Sequence, residues 1–285
     1  MVKIDLTKPS VLEGGFRKVS YPTEMFGLRE EMINLLIEKG FIDEPVPLED
    51  LHKHLKSEDM VPDDLDLNLV TKQFYDTSER FREIYFALIK YLGEQYFDYD
   101  FIFQEVPTIR FHPPVRFSEI RRSKTGLLLN YHTDSVLGHP LQEINCWLPV
   151  TKCYGNSALQ VGSLERGIDA LSQLSEEFDF DEEVFHTKGR EYMVNKMQTD
   201  DDYLRFIVDT CQPVKMEYGE VIFFDPRCMH GTAENDENDT RISLDFRLVP
   251  LEAYNNFTRA YKSQGRSGRT FTRGDVYFAN SAREL

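Results

Sequence analysis

The hydrophobic pattern changes period once along this chain, near residue 100. Before that point apolar residues recur at three- and four-residue spacing, the mark of one helix face. Met25, Leu28, Met32, Leu35, Leu36 and Ile37 keep this spacing behind Pro22, and Gly40 supplies a stop, so residues 22–40 are predicted to hold a helix. Residues 45–67 carry three prolines and many acids, which predicts a loop with a short helix around Leu48–Leu55. His52 and His54 fall there, point to different sides, and are expected to be solvated. A long helix is predicted from Leu69 to Phe97, with Phe74, Phe81, Ile84, Leu88 and Leu92 on one side.

Beyond Asp100 the texture becomes that of short strands. "VPTIRFHPPVRF", "GLLLNYHTDS", "EINCWLPVT", "SALQVGS", "QPVKMEYGEVIFFDP" and "RISLDFRLVP" each read as strand segments bounded by turn residues. Several short strands imply a sandwich or barrel. Residues 165–205 read as an acidic insertion with some helix, and its 174–183 stretch as either a lid or a solvated loop. The expected organisation is one domain over 1–285. Residues 1–100 form a helical buttress, 101–250 a mainly β core, and 251–285 a tail that is either mobile or a contact arm.

Composition narrows the function. The 285 residues carry 33 Lys and Arg against 49 Asp and Glu, a net charge of −16, which disfavours nucleic acid and anionic membranes as partners. The charge serves solubility, or else marks a cleft for a cationic or neutral polar substrate. The four cysteines form neither a CxxC pair nor a dense disulfide framework. No apolar run reaches membrane-spanning length and "MVKIDLTKPSVLEGG" has no apolar leader core, so a reduced, cytoplasmic protein is expected. A small-molecule substrate is the expected partner; oligomeric state is not legible.

The candidate chemistry starts at "NYHTD", residues 130–134. His132 and Asp134 are two apart, and residues i and i+2 of a strand share a face. Alone, the pair is as compatible with a surface turn as with half a metal site. His230 lies 98 residues later, after a strand and the turn at Asp225-Pro226, and Arg241 follows it by 11. Two imidazoles and one carboxylate can occupy one face of an octahedral metal and leave three positions open, the 2-His-1-carboxylate arrangement of non-haem Fe(II) sites. An Arg near such a site suits a carboxylate, because its planar fork binds two oxygens at once.

Together "NYHTDSVLGHPLQEINCWLPVT", "NSALQVGS" and "MHGTAENDENDTRISLDFR" resemble the Fe(II)/2-oxoglutarate-dependent oxygenases of the phytanoyl-CoA hydroxylase superfamily. They are most similar to its StrG-like branch, found in aminoglycoside and surface-carbohydrate gene clusters. The resemblance covers about residues 105–250. It implies a double-stranded β-helix (jelly-roll, cupin-like) core, Fe(II) with 2-oxoglutarate and O2, and ascorbate in support. His132, Asp134 and His230 are the implied metal ligands, and Arg241 the implied clamp on the distal carboxylate of 2-oxoglutarate. Thr232 and Ser243 match positions that help hold that carboxylate. Trp147 and Asn145 lie on the strand that would line the cosubstrate pocket, and Arg110 matches a position contacting cosubstrate or substrate. The turn "VGSLERG" departs from the superfamily's usual "PGSH". Halogenating relatives replace the carboxylate ligand with Ala or Gly, so Asp134 implies hydroxylation or another halide-free oxidation. The implied substrate is a carbohydrate, aminoglycoside or sugar nucleotide. An amino-acid or natural-product hydroxylase and a cupin-type isomerase or binding protein are the alternatives.

Several residues keep two readings. His139 either faces substrate or caps a turn, and His112 either touches substrate or fills the barrel. His186 is expected in solvent. Arg116, Arg121, Arg122 and Lys124 form either a substrate anion site or a solvated loop. Asp245 and Arg247 either pair behind the clamp, or Arg247 binds cosubstrate. Thr133, between His132 and Asp134, is expected to be scaffold.

Overall fold

The alternating segments of the second half become two antiparallel sheets whose faces serve different layers. The computed structural model describes residues 4–61, 68–117, 131–178 and 181–256, plus the backbone of a short pair, Tyr261–Lys262 with Thr270–Phe271. Its strands are β1 (Phe16–Ser20), β2 (Phe101–Phe103), β3 (Thr108–His112), β4 (Ile144–Pro149), β5 (Leu159–Val161), β6 (Gln212–Pro213), β7 (Glu220–Phe224), β8 (His230–Thr232) and β9 (Arg241–Pro250). Among the described residues a six-stranded sheet runs β1-β7-β4-β9-β2, with β3 also paired to β9, and a three-stranded sheet runs β6-β5-β8.

Strand parity divides the large sheet into an apolar face and a mixed one. Ile242, Leu244, Phe246 and Leu248 of β9 point to one side with Cys146 and Leu148 of β4, Val221 and Phe223 of β7, and Ile109 and Phe111 of β3. The N-terminal helices cover that side. α1 (Leu28–Glu38) brings Leu28, Met32, Leu35 and Leu36, all essentially inaccessible. After the short α2 (Ser57–Met60) and α3 (Leu69–Gln73), α4 (Glu79–Tyr96) brings Phe81, Ile84, Tyr85, Leu88, Ile89 and Leu92 at helical spacing. Each such side chain contributes about 1.5–3 kcal/mol of burial. The opposite parity carries Arg110, Asn145, Trp147, Arg241, Ser243, Asp245 and Arg247. Trp147, Ile222 and Phe224 there pack against Leu159 and Val161 of the small sheet.

Two sequence expectations are corrected here, and a third is extended. The helix expected from Leu69 to Phe97 is two helices, because Ser78 restarts it: its Oγ accepts from Phe81 N at 2.9 Å, a helix N-cap. His52 is buried, not solvated, with Nδ1 2.9 Å from Thr240 Oγ1. The 165–205 insertion, expected to hold some helix, is mainly helical: α5 (Leu164–Glu177), α6 (Glu182–Thr199) and the first half of α7 (Asp201–Thr210). These helices bury Leu171, Leu174, Phe185, Met193 and Ile207 with Val136 and Met229, in a second core behind the candidate site. Gly167 of α5 is required by closeness, since a Cβ there would come within 2.1 Å of the Arg227 carbonyl oxygen. The basic residues 121, 122 and 124, and the first half of "GLLLNYHTDS", lie outside the described residues.

Candidate metal centre

His132 and His230 are joined before any side chain is considered. Their backbones exchange two hydrogen bonds, N–H to carbonyl each way, both 2.9 Å, in an isolated antiparallel bridge. Asp134 is reached differently from the expectation of an uninterrupted strand. Thr133 is extended, and Asp134 opens a 3-10 turn, Asp134–Leu137, that ends at Gly138 with φ 97°. A left-handed residue there favours glycine. Pro226 O accepts from Ser135 N at 3.1 Å, and Ser135 O accepts from His186 Nδ1 at 3.1 Å. The turn is thus held between the segment preceding His230 and α6. His186 is buried in this contact rather than in solvent.

The result is a tight group. His132 Nε2 and His230 Nε2 each lie 3.4 Å from Asp134 Oδ1, and the three ligand-type atoms all lie within 4.8 Å of one another. A metal held ~2.1 Å from each donor leaves neighbouring donors ~3 Å apart at right angles, close to this spacing. The protonation states also suit a metal. The Cys228 carbonyl, an acceptor only, accepts a hydrogen bond from His230 Nδ1 at 3.0 Å, which leaves the Nε2 lone pair directed at the group. Burial and the neighbouring His230 lower His132 to about 4 against the pull of Asp134, so near neutrality its ring is neutral and one nitrogen keeps a lone pair. Asp134 is 1% exposed and its Oδ1 has no hydrogen-bond partner among the described residues. A buried carboxylate oxygen without a donor is costly. A cation between the three side chains would satisfy it, so these residues fit a divalent metal.

The other oxygen of Asp134 is fully engaged. Arg247 donates to Oδ2 through Nε at 3.0 Å and Nη2 at 2.8 Å. Burial alone would raise the Asp134 carboxyl; the Arg247 guanidinium, with the nearby His139, instead holds it well below the usual range. Arg247 also pairs closely with Asp245 and lies 3.6 Å from Glu143. Glu143 Oε1 accepts from His139 Nδ1 at 2.6 Å, and both are buried. Burial opposes the charge on His139, but Glu143 and Asp134 raise its pKa. His139 therefore sits in an ion pair beside Asp134, and neither the substrate-facing nor the turn-capping expectation describes it. Asp245 and Arg247 do pair, as one reading had it. The grip of Arg247 on Asp134 and the part of Glu143 were missed. Parity put Arg247 on the correct face, but nothing in the sequence set its partner.

A second group lies along the same sheet face. Arg241 is 2% exposed. It donates to Ser243 Oγ at 2.8 Å and to His112 Nδ1 at 2.9 Å, and its guanidinium carbon stands 5.8 Å from the Trp147 ring. Burial and Arg241 lower His112 well below its ordinary value, so it accepts as a neutral ring. His112 thus braces Arg241. Arg110, half-buried, faces Asp245 at 3.5 Å. Thr232 shares the His230 side of β8 and pairs with Leu159 across the small sheet. Asn145 stands between Phe224 and Arg247 in register.

No family profile matches the chain. Among solved structures the chain is similar to several described as non-haem or iron-bound proteins. One is a "non-heme monooxygenase, ThoJ-Ni complex", with a TM-score of 0.34 and 11% identity over 61% of this chain and 54% of that one, so the chain spans about half its length. Another is "CytC3 with Fe(II) and alpha-ketoglutarate", with a TM-score of 0.41 and 11% identity over 94% and 88% of the two chains. Scores under 0.5 carry no weight for function. The sequence match is more telling: the chain is 28% identical over 195 residues, 68% of its length, to the streptomycin biosynthesis protein StrG of Streptomyces griseus, of which it covers 69%. The StrG-like resemblance read from the motifs therefore extends over two thirds of the chain.

Proposed function

We propose that the chain is a non-haem Fe(II)- and 2-oxoglutarate-dependent oxygenase that hydroxylates a small carbohydrate-type molecule. The observation that carries this reading is the convergence of His132, Asp134 and His230 on one point, with Asp134 Oδ1 buried and unpaired. The face-to-face sheets support a jelly-roll core for the same reading. His132, Asp134 and His230 hold the metal, and the Arg241 fork, braced by Ser243 and His112, receives the distal carboxylate of the cosubstrate. Thr232 adds a hydroxyl on the same side, and Trp147 provides the wall between. When bound there, Fe(II) with 2-oxoglutarate and O2 supplies an oxidant for a substrate C–H bond and leaves succinate and CO2. The contribution of this chain is orientation and exclusion of water. Arg247 keeps Asp134 ionised with one oxygen free, and the Cys228 carbonyl orients His230 so that its Nε2 lone pair points at the group. Half-buried Arg110, beside the partly exposed His132, lies on the substrate side.

Likeness to StrG supports a sugar, aminoglycoside or sugar-nucleotide substrate. The test is anaerobic loading with Fe(II) and 2-oxoglutarate, then O2 and ascorbate with a panel of such sugars. The expected result is one metal per chain, 2-oxoglutarate binding only after metal, and substrate-dependent succinate release. A metal-loaded protein that binds no 2-oxoglutarate would instead favour a cupin-type isomerase or binding protein.

A further inference from the structure

Asn145 is 1% exposed, yet neither its Oδ1 nor its Nδ2 finds a hydrogen-bond partner among the described residues. A buried amide with all its hydrogen-bonding capacity unused is costly and rare. Its position says what it faces. Asn145 shares the mixed face of the large sheet, paired with Phe224 on one side and Arg247 on the other. The Phe224 ring meets the His230 ring edge-on at 5.0 Å, and Arg247 grips Asp134 Oδ2 at 2.8 Å. Both neighbours of Asn145 thus touch the candidate metal-binding side chains. Two residues on, Trp147 points to the same side, and the Arg241 guanidinium stands at that indole. An amide, an indole wall and a guanidinium therefore follow one another along a single face. Successive same-face positions of a strand are ~6.6 Å apart, a span that suits a short diacid. The depth of Asn145 excludes a bulky substrate group.

We propose that Asn145 is the second anchor of the cosubstrate, its side-chain amide pairing with the 2-oxo-acid end held at the metal while Arg241 holds the distal carboxylate. The inference rests on the cosubstrate reading above. The unpaired amide is then a recognition element kept at the expense of the ligand-free protein.

The test uses the whole Fe(II)-loaded chain under anaerobic conditions, with 2-oxoglutarate and pyruvate as probes. Pyruvate keeps the 2-oxo-acid end and lacks the distal carboxylate. Asn145→Leu is expected to weaken both acids by roughly tenfold or more, the loss expected for a hydrogen bond to a charged group. Arg241→Ala is expected to weaken 2-oxoglutarate alone. The charge-transfer absorption of the Fe(II)–2-oxo-acid complex should shift in Asn145→Leu and keep its position in Arg241→Ala at saturation. The metal-free Asn145→Leu protein should melt no lower than the parent, since an unpaired polar group has been removed. Where the longer side chain prevents folding, Asn145→Ala gives the same comparison of the two acids. Unchanged affinity for both acids overturns the proposal, as does a loss confined to 2-oxoglutarate. A parent protein that binds metal but neither acid overturns the cosubstrate reading itself, and this inference with it.

Discussion

Replacing Arg247 by Ala tests the electrostatics of the site without touching a candidate metal-binding side chain. In the parent, one guanidinium stands among Asp134, Asp245 and Glu143, with two hydrogen bonds to Asp134 Oδ2 at 3.0 and 2.8 Å. Asp134 and Glu143 are 1% and 0% exposed. Removing one partner of such a buried pair costs about 3–5 kcal/mol, because the remaining charge stays buried. For a chain this long, ~2 °C of melting temperature is lost per kcal/mol, so a drop of roughly 5–10 °C is expected at neutral pH. The pH dependence carries the sharper signature. In the parent, Asp134 is held below its unfolded value, so its contribution is complete above that value and is lost only as pH falls through the lower folded one. In the variant burial is left to dominate, and the folded pKa moves above the unfolded one. The penalty is then present at neutral pH and shrinks as pH falls toward ~4, where the unfolded carboxylate also takes up its proton. The assay is thermal unfolding of both metal-free proteins, with chelator, from about pH 8 to pH 4.5. A melting difference that stays constant over that range refutes the reasoning, as does one below about 1 kcal/mol at pH 7.5. Metal affinity of the variant should fall by about 10–100-fold, since the carboxylate loses its orienting partner.

Other outcomes follow from the same geometry. Arg241→Ala should raise the dissociation constant for 2-oxoglutarate by roughly 100-fold while leaving metal affinity within about twofold, read by titration of the Fe(II)-loaded protein. Asp134→Ala and His230→Ala should each abolish stoichiometric metal binding, measured by metal analysis after gel filtration. Burial and the neighbouring His230 depress His132 to about 4, so a proton competes with a metal at this imidazole only near that pH. The same shift makes the metal-free protein lose stability as pH drops from ~6.5, where an unfolded His takes up a proton that the folded one refuses. All four thiols are buried, and burial pushes Cys153, Cys211 and Cys228 up to about 12 and Cys146 well above its ordinary value. A thiol-specific chromogenic reagent should therefore label none of them in the native protein and all four after denaturation.

Much of this molecule was legible in its sequence, because parity and periodicity are local. Alternation in "RISLDFRLVP" and "EINCWLPVT" already separates the residues under the helices from those at the site, and helical spacing marks the faces of α1 and α4. The His-x-Asp pair, the distant His230 and Arg241 could be named from residue type and order. What the sequence could not determine is which side chains meet across strands and turns. Register alone sets Asn145 between Phe224 and Arg247, and only the path of the Asp134 turn brings its carboxylate to Arg247, 113 residues away. Burial likewise needed the packed chain. His52, His139 and His186 look like surface or mouth histidines in isolation, yet Thr240, Glu143 and Ser135 enclose them. The sequence determined the chemical types available and the face each strand residue takes. Tertiary structure decided which charges lose water and which partner replaces it, and pKa, metal competence and the unpaired amide of Asn145 all depend on that exchange.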